Sequence, residues 1–376
     1  MPDKKILIIG AGPAGSTSAR IFAEAGWTVD IFEKRHHIAG NCYDELDENG
    51  VLVHRYGPHY FRSNQIELLK WLGKFTDWIP GRYYVRAKVK NALIPVPISL
   101  ATITALKGKA YSAEAFEKYL QHERISFSSP QNAEEQCLAQ VGRELYETLF
   151  KGYTSKQWGV EPTKLSPDIT ARIPLRFDWD ERYASEKYQV MPKDGYTAMF
   201  HKMLEHSNIN VELNSLLCPS DIKRRREEYD YTFYSGPVDT FFDLKHGKLG
   251  YRSLRFEWHY YNESYVQPCV QINYPNDFEY TRTVEAKHVT AQKCDGTTVS
   301  HEYPQAEGEP FYPLLTRENL ERYAKYRILA DKESNSDRPI IFLGRLAEFK
   351  YYNMDHVILW AMETANRILR HEQGRI

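Results

Sequence analysis

Apolar runs of strand length alternate with helical patterns at the start of the chain. Residues 6–9 form an apolar run rich in β-branched side chains, which is typical of a strand buried in a parallel sheet. Residues 16–25 follow with helical periodicity, Gly26 is placed to cap that helix, and residues 29–32 predict a second strand. This order predicts a βαβ unit and therefore an α/β, Rossmann-like fold.

Later segments predict the rest of that sheet and two further parts. The elements expected to return to the Rossmann-like sheet are a helix over 195–206, strands over 210–214, 231–235 and 339–343, and a final helix over 354–369. Helical periodicity predicts an insertion over 98–150, whose last helix covers 133–150, and alternation over 251–317 predicts an antiparallel sheet. The glycine- and aromatic-rich segment 152–159 is predicted to be a loop.

The turn between the first strand and the first helix carries a glycine motif. Gly10, Gly12 and Gly15 have the GxGxxG spacing, in which the glycines allow a tight turn, backbone contact with a pyrophosphate and close packing of helix on strand. Glu33, at the end of the second strand, is placed to accept both ribose hydroxyls. The motif predicts a dinucleotide site, and the alternative is a glycine-rich turn in an ordinary βαβ unit.

The arrangement of the cofactor segments favours FAD over NAD. A second glycine-containing loop with Gly40 and Asn41 follows the ribose carboxylate. The Rossmann-like elements recur at the start, middle and end of the chain, whereas NAD sites are usually one contiguous domain. No second GxGxxG motif is present for a nicotinamide cofactor.

Composition narrows the class of protein. The 376 residues carry a net charge of −1, which gives no indication of nucleic acid or an anionic membrane as partner. Five scattered cysteines without a CxxC pair indicate a reducing compartment and no structural metal or disulfide. No apolar run approaches the roughly 20 residues that span a bilayer, and the N-terminus leads directly into a core strand, so we expect a cytoplasmic protein.

Arginines and aromatic residues outside obvious charge runs indicate an anionic ligand. Arginine forks bind phosphate oxygens through two hydrogen bonds, and the alternative is a set of surface ion pairs. The arginines are Arg172, Arg176, Arg252, Arg282 and Arg345. The aromatic residues, whose alternative role is core packing, are Tyr153, Trp158, Tyr183, Tyr312 and Tyr351.

Six blocks, in this order along the chain, resemble the UDP-galactopyranose mutase family. They are HRYGPHYF (54–61), KGYTSKQWG (151–159), RIPLRF (172–177), YTR (280–282), EPFYP (309–313) and GRLAEFKYYNM (344–354). The resemblance implies an isomerase that interconverts the pyranose and furanose forms of a UDP-galactose-like nucleotide sugar. It implies FAD that is active when reduced, with flavin N5 attacking the anomeric carbon, and by analogy a homodimer.

The resemblance also implies roles for matched residues. The catalytic set is Arg172, Arg282, His59 and Arg345, in which the first two arginines hold the diphosphate and His59 belongs to a flavin-facing turn. The substrate-binding set adds Tyr153, Trp158, Tyr183, Tyr312, Tyr351, Asn353, Arg62 and Tyr83. The cofactor-binding set is Gly10, Gly12, Pro13, Ala14, Gly15, Glu33, Lys34, Gly40, Asn41, Tyr56, Gly57, His59, Arg252, Gly344, Arg345, Tyr352, Asn353 and Met354.

These assignments divide the chain into three predicted parts. A discontinuous FAD-binding Rossmann-like domain comprises 1–80, 193–245 and 318–376, and a helical insertion covers 98–150. The antiparallel-sheet substrate domain comprises 81–97, 151–192 and 246–317.

Three positions depart from the family pattern. Arg62 stands where a second histidine is common, Asn353 replaces a carboxylate, and Tyr83 begins the segment that usually carries Asn-Ser-Pro. We therefore hypothesise a different sugar nucleotide, with UDP-N-acetyl, deoxy, uronic and dTDP sugars as candidates. An FAD amine oxidase-like enzyme and a nucleotide-sugar-binding flavoprotein without catalysis are the other interpretations that the sequence leaves open.

Overall fold

The structure is a computed structural model and describes residues 4–171 and 173–374. Arg172, predicted to bind the diphosphate, lies outside the described residues. The strands are β1 (Lys5–Ile9), β2 (Thr28–Phe32), β3 (Asp44–Leu46), β4 (Leu52–His54), β5 (Phe61–Ser63), β6 (Trp78–Pro80), β7 (Val85–Val89), β8 (Ala92–Val96), β9 (Tyr188–Pro192), β10 (Ile209–Glu212), β11 (Tyr231–Tyr234), β12 (Tyr251–Tyr261), β13 (Gln271–Asn273), β14 (Arg282–Glu285), β15 (Thr297–Gln305), β16 (Tyr312–Pro313) and β17 (Ile340–Phe342).

The α-helices are α1 (Pro13–Glu24), α2 (Ile66–Leu72), α3 (Leu100–Lys107), α4 (Ala113–Glu123), α5 (Ala133–Val141), α6 (Arg143–Leu145), α7 (Gly152–Trp158), α8 (Asp168–Ala171), α9 (Tyr196–Leu204), α10 (Pro219–Arg225), α11 (Val238–Phe241), α12 (Ala286–Thr290), α13 (Arg317–Ser334) and α14 (Met354–Gln373). A π-helical segment, Tyr146–Lys151, joins α6 to α7. None of the described helices combines the length and the apolar composition that a bilayer crossing needs.

A five-stranded parallel sheet in the order β10-β2-β1-β11-β17 forms the Rossmann-like part. Its strands come from three separate stretches of the chain, and α1 and α14 pack together against it through Phe22, Ala361 and Ile368. The predicted α/β class is therefore confirmed. The first helix begins at Pro13, three residues earlier than predicted, because the fixed φ of proline suits the first helical position.

A seven-stranded sheet in the order β16-β12-β15-β14-β13-β7-β8 forms the second part. Its neighbouring strands are antiparallel except β13 and β7, which pair in parallel. The antiparallel prediction was wrong over Ala286–Thr290, which is helix α12. Ala286 and Val289, three residues apart, are both buried there, which is helical and not strand spacing.

The helical insertion departs from prediction at its last helix. The chain turns at Gly142, whose φ is +81°, and a side chain there would lie 2.5 Å from the Glu123 Cβ, so only glycine fits. The predicted loop 152–159 is helix α7. Gly152 packs against the Pro275 carbonyl, and a Cβ there would lie 2.4 Å from that oxygen. Helix α13 and the small sheets β5-β9-β6 and β3-β4 were not predicted.

Candidate active site

A cavity of about 610 Å³ opens beside the carboxyl ends of the parallel strands. Loops that follow parallel strands meet at this edge of a doubly wound sheet, which makes it the usual position of a ligand. The predicted residues that line the cavity are Gly10, Gly12, Pro13, Ala14, Glu33, Lys34, Gly40, Asn41, His59, Gly344, Arg345 and Met354. Gly15, Tyr56, Gly57, Arg252, Tyr352 and Asn353 are not among its lining residues.

Two glycine loops face each other across the inner part of the cavity. A Cβ at Gly12 would lie 3.6 Å from the Gly40 Cα, so the groove between the loops is walled by backbone. Gly15 has a different role, because a Cβ there would lie 2.0 Å from the Gly10 oxygen and would separate helix from strand. The groove suits a diphosphate that approaches backbone N–H groups at the start of α1.

Glu33 is held rigidly where a ribose would bind. Its carboxylate accepts the backbone N–H groups of Ala11 at 2.8 Å and Arg35 at 2.9 Å, and the residue is 5% exposed. The carboxylate therefore faces the cavity in one orientation at the end of β2. Together with the two glycine loops, this geometry fits FAD.

Charged residues close over the cavity beside Glu33. Lys34 forms an ion pair with Glu309, and Arg35 Nη2 lies 3.1 Å from the second Glu309 oxygen. The segments 215–219, 234–237 and 309–311 also line the cavity and were not predicted to do so. Each of these segments lies far along the chain from the glycine motif. Only EPFYP carried a sequence signal, and that signal indicated substrate binding through Tyr312.

His59 reaches the cavity from the turn that follows β4. Its Nδ1 lies 2.8 Å from the Gly57 carbonyl, which can only accept, so Nδ1 carries the proton. The His59 backbone N–H donates to His54 Nδ1 at 3.2 Å. Burial, followed by the charges of His54, Arg345 and Arg282, lowers the pKa of His59 to about 3, so the imidazole is neutral.

Two arginines bring positive charge to this region: Arg345 lines the cavity, and Arg282 lies near enough to His59 to lower the pKa of that residue. Arg282 Nε donates to Glu302 Oε2 at 2.7 Å. Arg345 Nη2 donates to the Tyr352 carbonyl at 2.8 Å, and its guanidinium lies 5.3 Å from the centre of the Tyr312 ring. Both guanidinium groups are thus fixed by protein contacts before any ligand binds.

Phenols surround these arginines. Burial lowers the pKa of Arg282, but Glu302 and the nearby Tyr153, Tyr312 and Tyr83 outweigh it and hold that pKa well above its usual value. The rings of Tyr83 and Tyr183 lie 4.8 Å apart, and those of Tyr312 and Tyr351 lie 5.6 Å apart. The predicted tyrosines therefore gather around the two arginines, which are donors suited to an anionic diphosphate.

Four predicted site residues do not line the cavity and have protein partners. Trp158 is 5% exposed and packs in a core cluster, with its ring 6.0 Å from that of Tyr351. Arg252 donates to the Gln157 and Lys156 carbonyls at 3.0 and 3.4 Å, at the end of α7. The Tyr352 hydroxyl donates to Glu348, and the Tyr56 hydroxyl lies 2.7 Å from His37 Nε2. The segment α7 was predicted to be a loop but is a helix, and the last carbonyl groups of a helix have no partner within it. Arg252 donates to two of these carbonyl groups.

Two of the three departures from the family pattern contact each other. Arg62 Nη2 donates to Asn353 Oδ1 at 3.0 Å, although 291 positions separate the two residues. Arg62 Nη1 also lies 3.7 Å from Glu186 Oε2. Asn353 directly precedes α14, whose Met354 and Val357 line the cavity, so the pair lies beside the site.

A separate cluster of metal-ligating side-chain types lies on strands β12 and β15 of the second sheet. Side-chain atoms of Glu257, His259 and His301 lie within 4.8 Å of one another, a grouping that the sequence did not indicate. The Glu257 carboxylate is already bound by Arg255 and by the Tyr303 hydroxyl.

The family model described as UDP-galactopyranose mutase matches residues 148–351, which is more than half of the chain. The chain belongs to the UDP-galactopyranose mutase family. Residues 8–75 also match an NAD(P)-binding Rossmann-like domain. The chain is therefore an isomerase, a flavin-dependent pyranose–furanose mutase, and its cofactor is FAD.

Individual family members resemble the chain over its whole length. A probable UDP-galactopyranose mutase of Klebsiella pneumoniae is 39% identical and is matched over 98% of this chain and 96% of its own. A dTDP-fucopyranose mutase of Escherichia coli is 36% identical, over 98% and 99% of the two chains. A crystal structure of reduced UDP-galactopyranose mutase has the same fold, with a TM-score of 0.76 and 16% identity over 97% of this chain and 95% of its own.

Proposed function

We propose that this mutase acts on a nucleoside diphosphate hexose other than UDP-galactose. The observation that carries the proposal is the hydrogen bond between Arg62 and Asn353, since both residues depart from the family pattern and Asn353 directly precedes Met354, which lines the cavity. The relatives that act on UDP-galactose and on dTDP-fucose are 39% and 36% identical, so overall similarity does not choose between these substrates.

The residues around the cleft bind and orient the substrate. Reduced FAD, when bound, supplies the nucleophilic nitrogen for the anomeric carbon. Arg282 and Arg345 bind the diphosphate and stabilise its charge as the bond to the sugar breaks, with Tyr153 and Tyr312 as further donors. Arg172 is proposed as another diphosphate ligand, on the strength of the family resemblance alone.

Neutral His59 limits the positive charge in the cavity. With Nδ1 protonated and bonded to Gly57, its Nε2 is an acceptor. The imidazole can therefore accept a hydrogen bond in the cavity while the arginines alone carry the cationic role. This division of charge suits a reaction in which a diphosphate leaves and returns.

The surroundings of the pair favour an uncharged sugar. Glu186 Oε2 lies 3.7 Å from Arg62, so the guanidinium is already partly neutralised and attracts an acidic sugar less strongly. The Tyr83 hydroxyl donates to Gln271 at 2.9 Å, which leaves mainly apolar ring surface toward Tyr183. We therefore favour a deoxy or N-acetylated hexose over a uronic acid.

The test is a substrate panel with the purified FAD-loaded enzyme. UDP-galactose, UDP-N-acetylgalactosamine, UDP-galacturonic acid and dTDP-fucose are incubated with and without dithionite, and furanose products are separated by chromatography. We expect turnover only after reduction, and faster turnover of a deoxy or N-acetylated substrate. A clear preference for UDP-galactose would overturn the proposed substrate, and turnover by oxidised enzyme would overturn the mechanism.

A further inference from the structure

Glu302 is a buried carboxylate at the wall of the diphosphate site. It lies on β15 directly opposite Arg282 on β14 and is 0% exposed. Its Oε2 accepts the hydrogen bond from Arg282 Nε at 2.7 Å, while no described residue hydrogen-bonds its Oε1. A buried carboxylate is costly unless it is paired, and Arg282 is the hydrogen-bond partner that this carboxylate has among the described residues.

The contact fixes the direction in which Arg282 points. Because Glu302 engages Nε, both terminal amino groups of Arg282 are without a hydrogen bond among the described residues. A carboxylate that instead bound two guanidinium nitrogens side by side would occupy one terminal amino group. The observed arrangement leaves both terminal amino groups available to a ligand, and the phenols of Tyr153 and Tyr312 lie near enough to Arg282 to raise its pKa.

The turn that carries His59 lies against the same ion pair. A Cβ at Gly57 would lie 3.4 Å from Glu302 Oε1 and 3.5 Å from Arg282 Nη2. The backbone of the turn therefore lies against both members of the ion pair. Glu302 and the turn therefore both limit how the Arg282 guanidinium can be placed.

Through its negative charge alone, Glu302 would weaken the binding of a diphosphate. Burial raises the pKa of Glu302 and the Arg282 guanidinium opposes that shift, and an ionised carboxylate repels a diphosphate at this short range. A benefit from Glu302 must therefore come from the orientation it imposes on Arg282. The two effects have opposite signs, which makes them separable by experiment.

We propose that Glu302 is a positioning residue that orients Arg282 for diphosphate binding. The proposal rests on the proposed function only in taking Arg282 as a ligand of the diphosphate. It assigns Glu302 no proton transfer and no contact with the substrate.

The first test compares two variants of the FAD-loaded protein by calorimetric titration with UDP and with dTDP. Glu302→Leu removes both charge and hydrogen bond, and we expect nucleotide affinity to fall by about tenfold or more despite the loss of a repelling charge. Glu302→Gln keeps an acceptor for Arg282 Nε, and we expect affinity within a few-fold of the original. Tighter binding by both variants would show that electrostatics dominates and would overturn the proposal.

A second pair of variants keeps the positive charge at position 282 and guards against misfolding of Glu302→Leu. In Arg282→Lys the single ammonium pairs with Glu302, so we expect about tenfold weaker nucleotide binding. Adding Glu302→Gln to that variant releases the ammonium and is expected to restore part of the affinity. Failure of the added substitution to restore binding would contradict the positioning role.

Glu257→Gln is the matched control. Glu257 lies on β12, beside β15, and its ion pair with Arg255 is exposed on the outer face of the sheet. The same change of charge there is expected to leave nucleotide affinity unchanged. Because binding of UDP and dTDP is measured without turnover, the shifts would stand even if no sugar were isomerised, whereas absence of binding to the unaltered protein would overturn the inference.

Discussion

At the residue scale, the cofactor site depends on positions that carry no side chain. The groove between Gly12 and Gly40 has room for one further carbon, since a Cβ at Gly12 would be 3.6 Å from the nearest atom. Gly15 has no such room, because a Cβ at that position would lie 2.0 Å from the Gly10 oxygen. Gly12 therefore leaves space for the ligand, whereas Gly15 allows the helix to pack closely on the strand.

Replacing Gly12 should separate cofactor binding from folding. We expect Gly12→Val to fold but to lose FAD, because the branched side chain would fill the space of the pyrophosphate. The ratio of flavin to protein absorbance after purification measures this. Gly26→Ala is the control, because Gly26 has no neighbour within 4 Å and its φ of +85° predicts only about 1 kcal/mol of strain. A Gly12→Val variant that purifies yellow would contradict the assignment.

The Arg62–Asn353 pair should set the choice of sugar. The double variant Arg62→His/Asn353→Asp restores the family pattern, and we expect the ratio of kcat/KM for UDP-galactose over that for the best substrate to rise by about tenfold, which corresponds to about 1.4 kcal/mol. The single variant Arg62→His removes the guanidinium that donates the hydrogen bond of 3.0 Å and should lower both values, whereas Asn353→Asp keeps an oxygen acceptor for Arg62 and should lower them less. Unchanged ratios in the double variant would exclude this pair as a determinant of specificity.

At the element scale, helix α7 supplies protein partners for Arg252, a predicted cofactor ligand. The segment 152–159 combines glycines with aromatic residues, a composition that favours a loop, yet tertiary packing against Pro275 stabilises a helix. Its last carbonyls need partners, and Arg252, 7% exposed, supplies them. An arginine in a strand thus caps a helix that is distant in sequence.

Arg252→Met should therefore act on stability. We expect it to lower the free energy of unfolding by about 2 kcal/mol, because two helix carbonyls lose their donors, while FAD content stays unchanged. Thermal unfolding and flavin absorbance measure the two effects. Arg255→Met, an exposed position on the same strand, should change neither. Loss of FAD from a stable Arg252→Met protein would return Arg252 to the cofactor site.

At the scale of the whole molecule, buried histidines link separate parts of the fold. His54, at the end of a hairpin strand, accepts the His59 backbone N–H, and its Nε2 lies 3.7 Å from Asp44 Oδ2. Asp44 in turn accepts the Tyr196 and Thr197 N–H groups at the start of α9. The hairpin, the cofactor-facing turn and the Rossmann-like part therefore share one buried network.

This network predicts a loss of stability in mild acid. Burial lowers the pKa of His54 to about 4, so the folded state binds fewer protons than the unfolded state below pH 6.5. The contribution of His54 to the free energy of unfolding is complete above pH 6.5 and falls as pH decreases, by up to about 1.4 kcal/mol per pH unit until the folded pKa is reached.

Urea unfolding at pH 7.5 and 5.5 measures this free energy, and it should fall less between the two pH values for His54→Asn, which keeps an acceptor. His122→Asn, whose side chain is 87% exposed, should behave like the unaltered protein; equal pH dependence in His54→Asn would contradict the prediction.

The sequence by itself determined the parts of this protein that depend on local spacing. The glycine motif, the ribose carboxylate and the parallel strands follow from periodicity and from three glycines, because a βαβ unit is a contiguous piece of chain. Family membership also followed from short blocks of sequence, and the comparisons confirmed it. The break at Gly142 and helices α7 and α12 were not predictable locally, since each depends on a neighbour distant in sequence.

Only the tertiary structure decided which distant residues meet. The contacts of Arg62 with Asn353, of Glu302 with Arg282 and of Arg252 with the end of α7 all join residues on different elements. Periodicity gives the face on which a residue lies but not its partner. A buried charge must find its partner within about 4 Å, and that distance is set by the packing of strands and helices against one another.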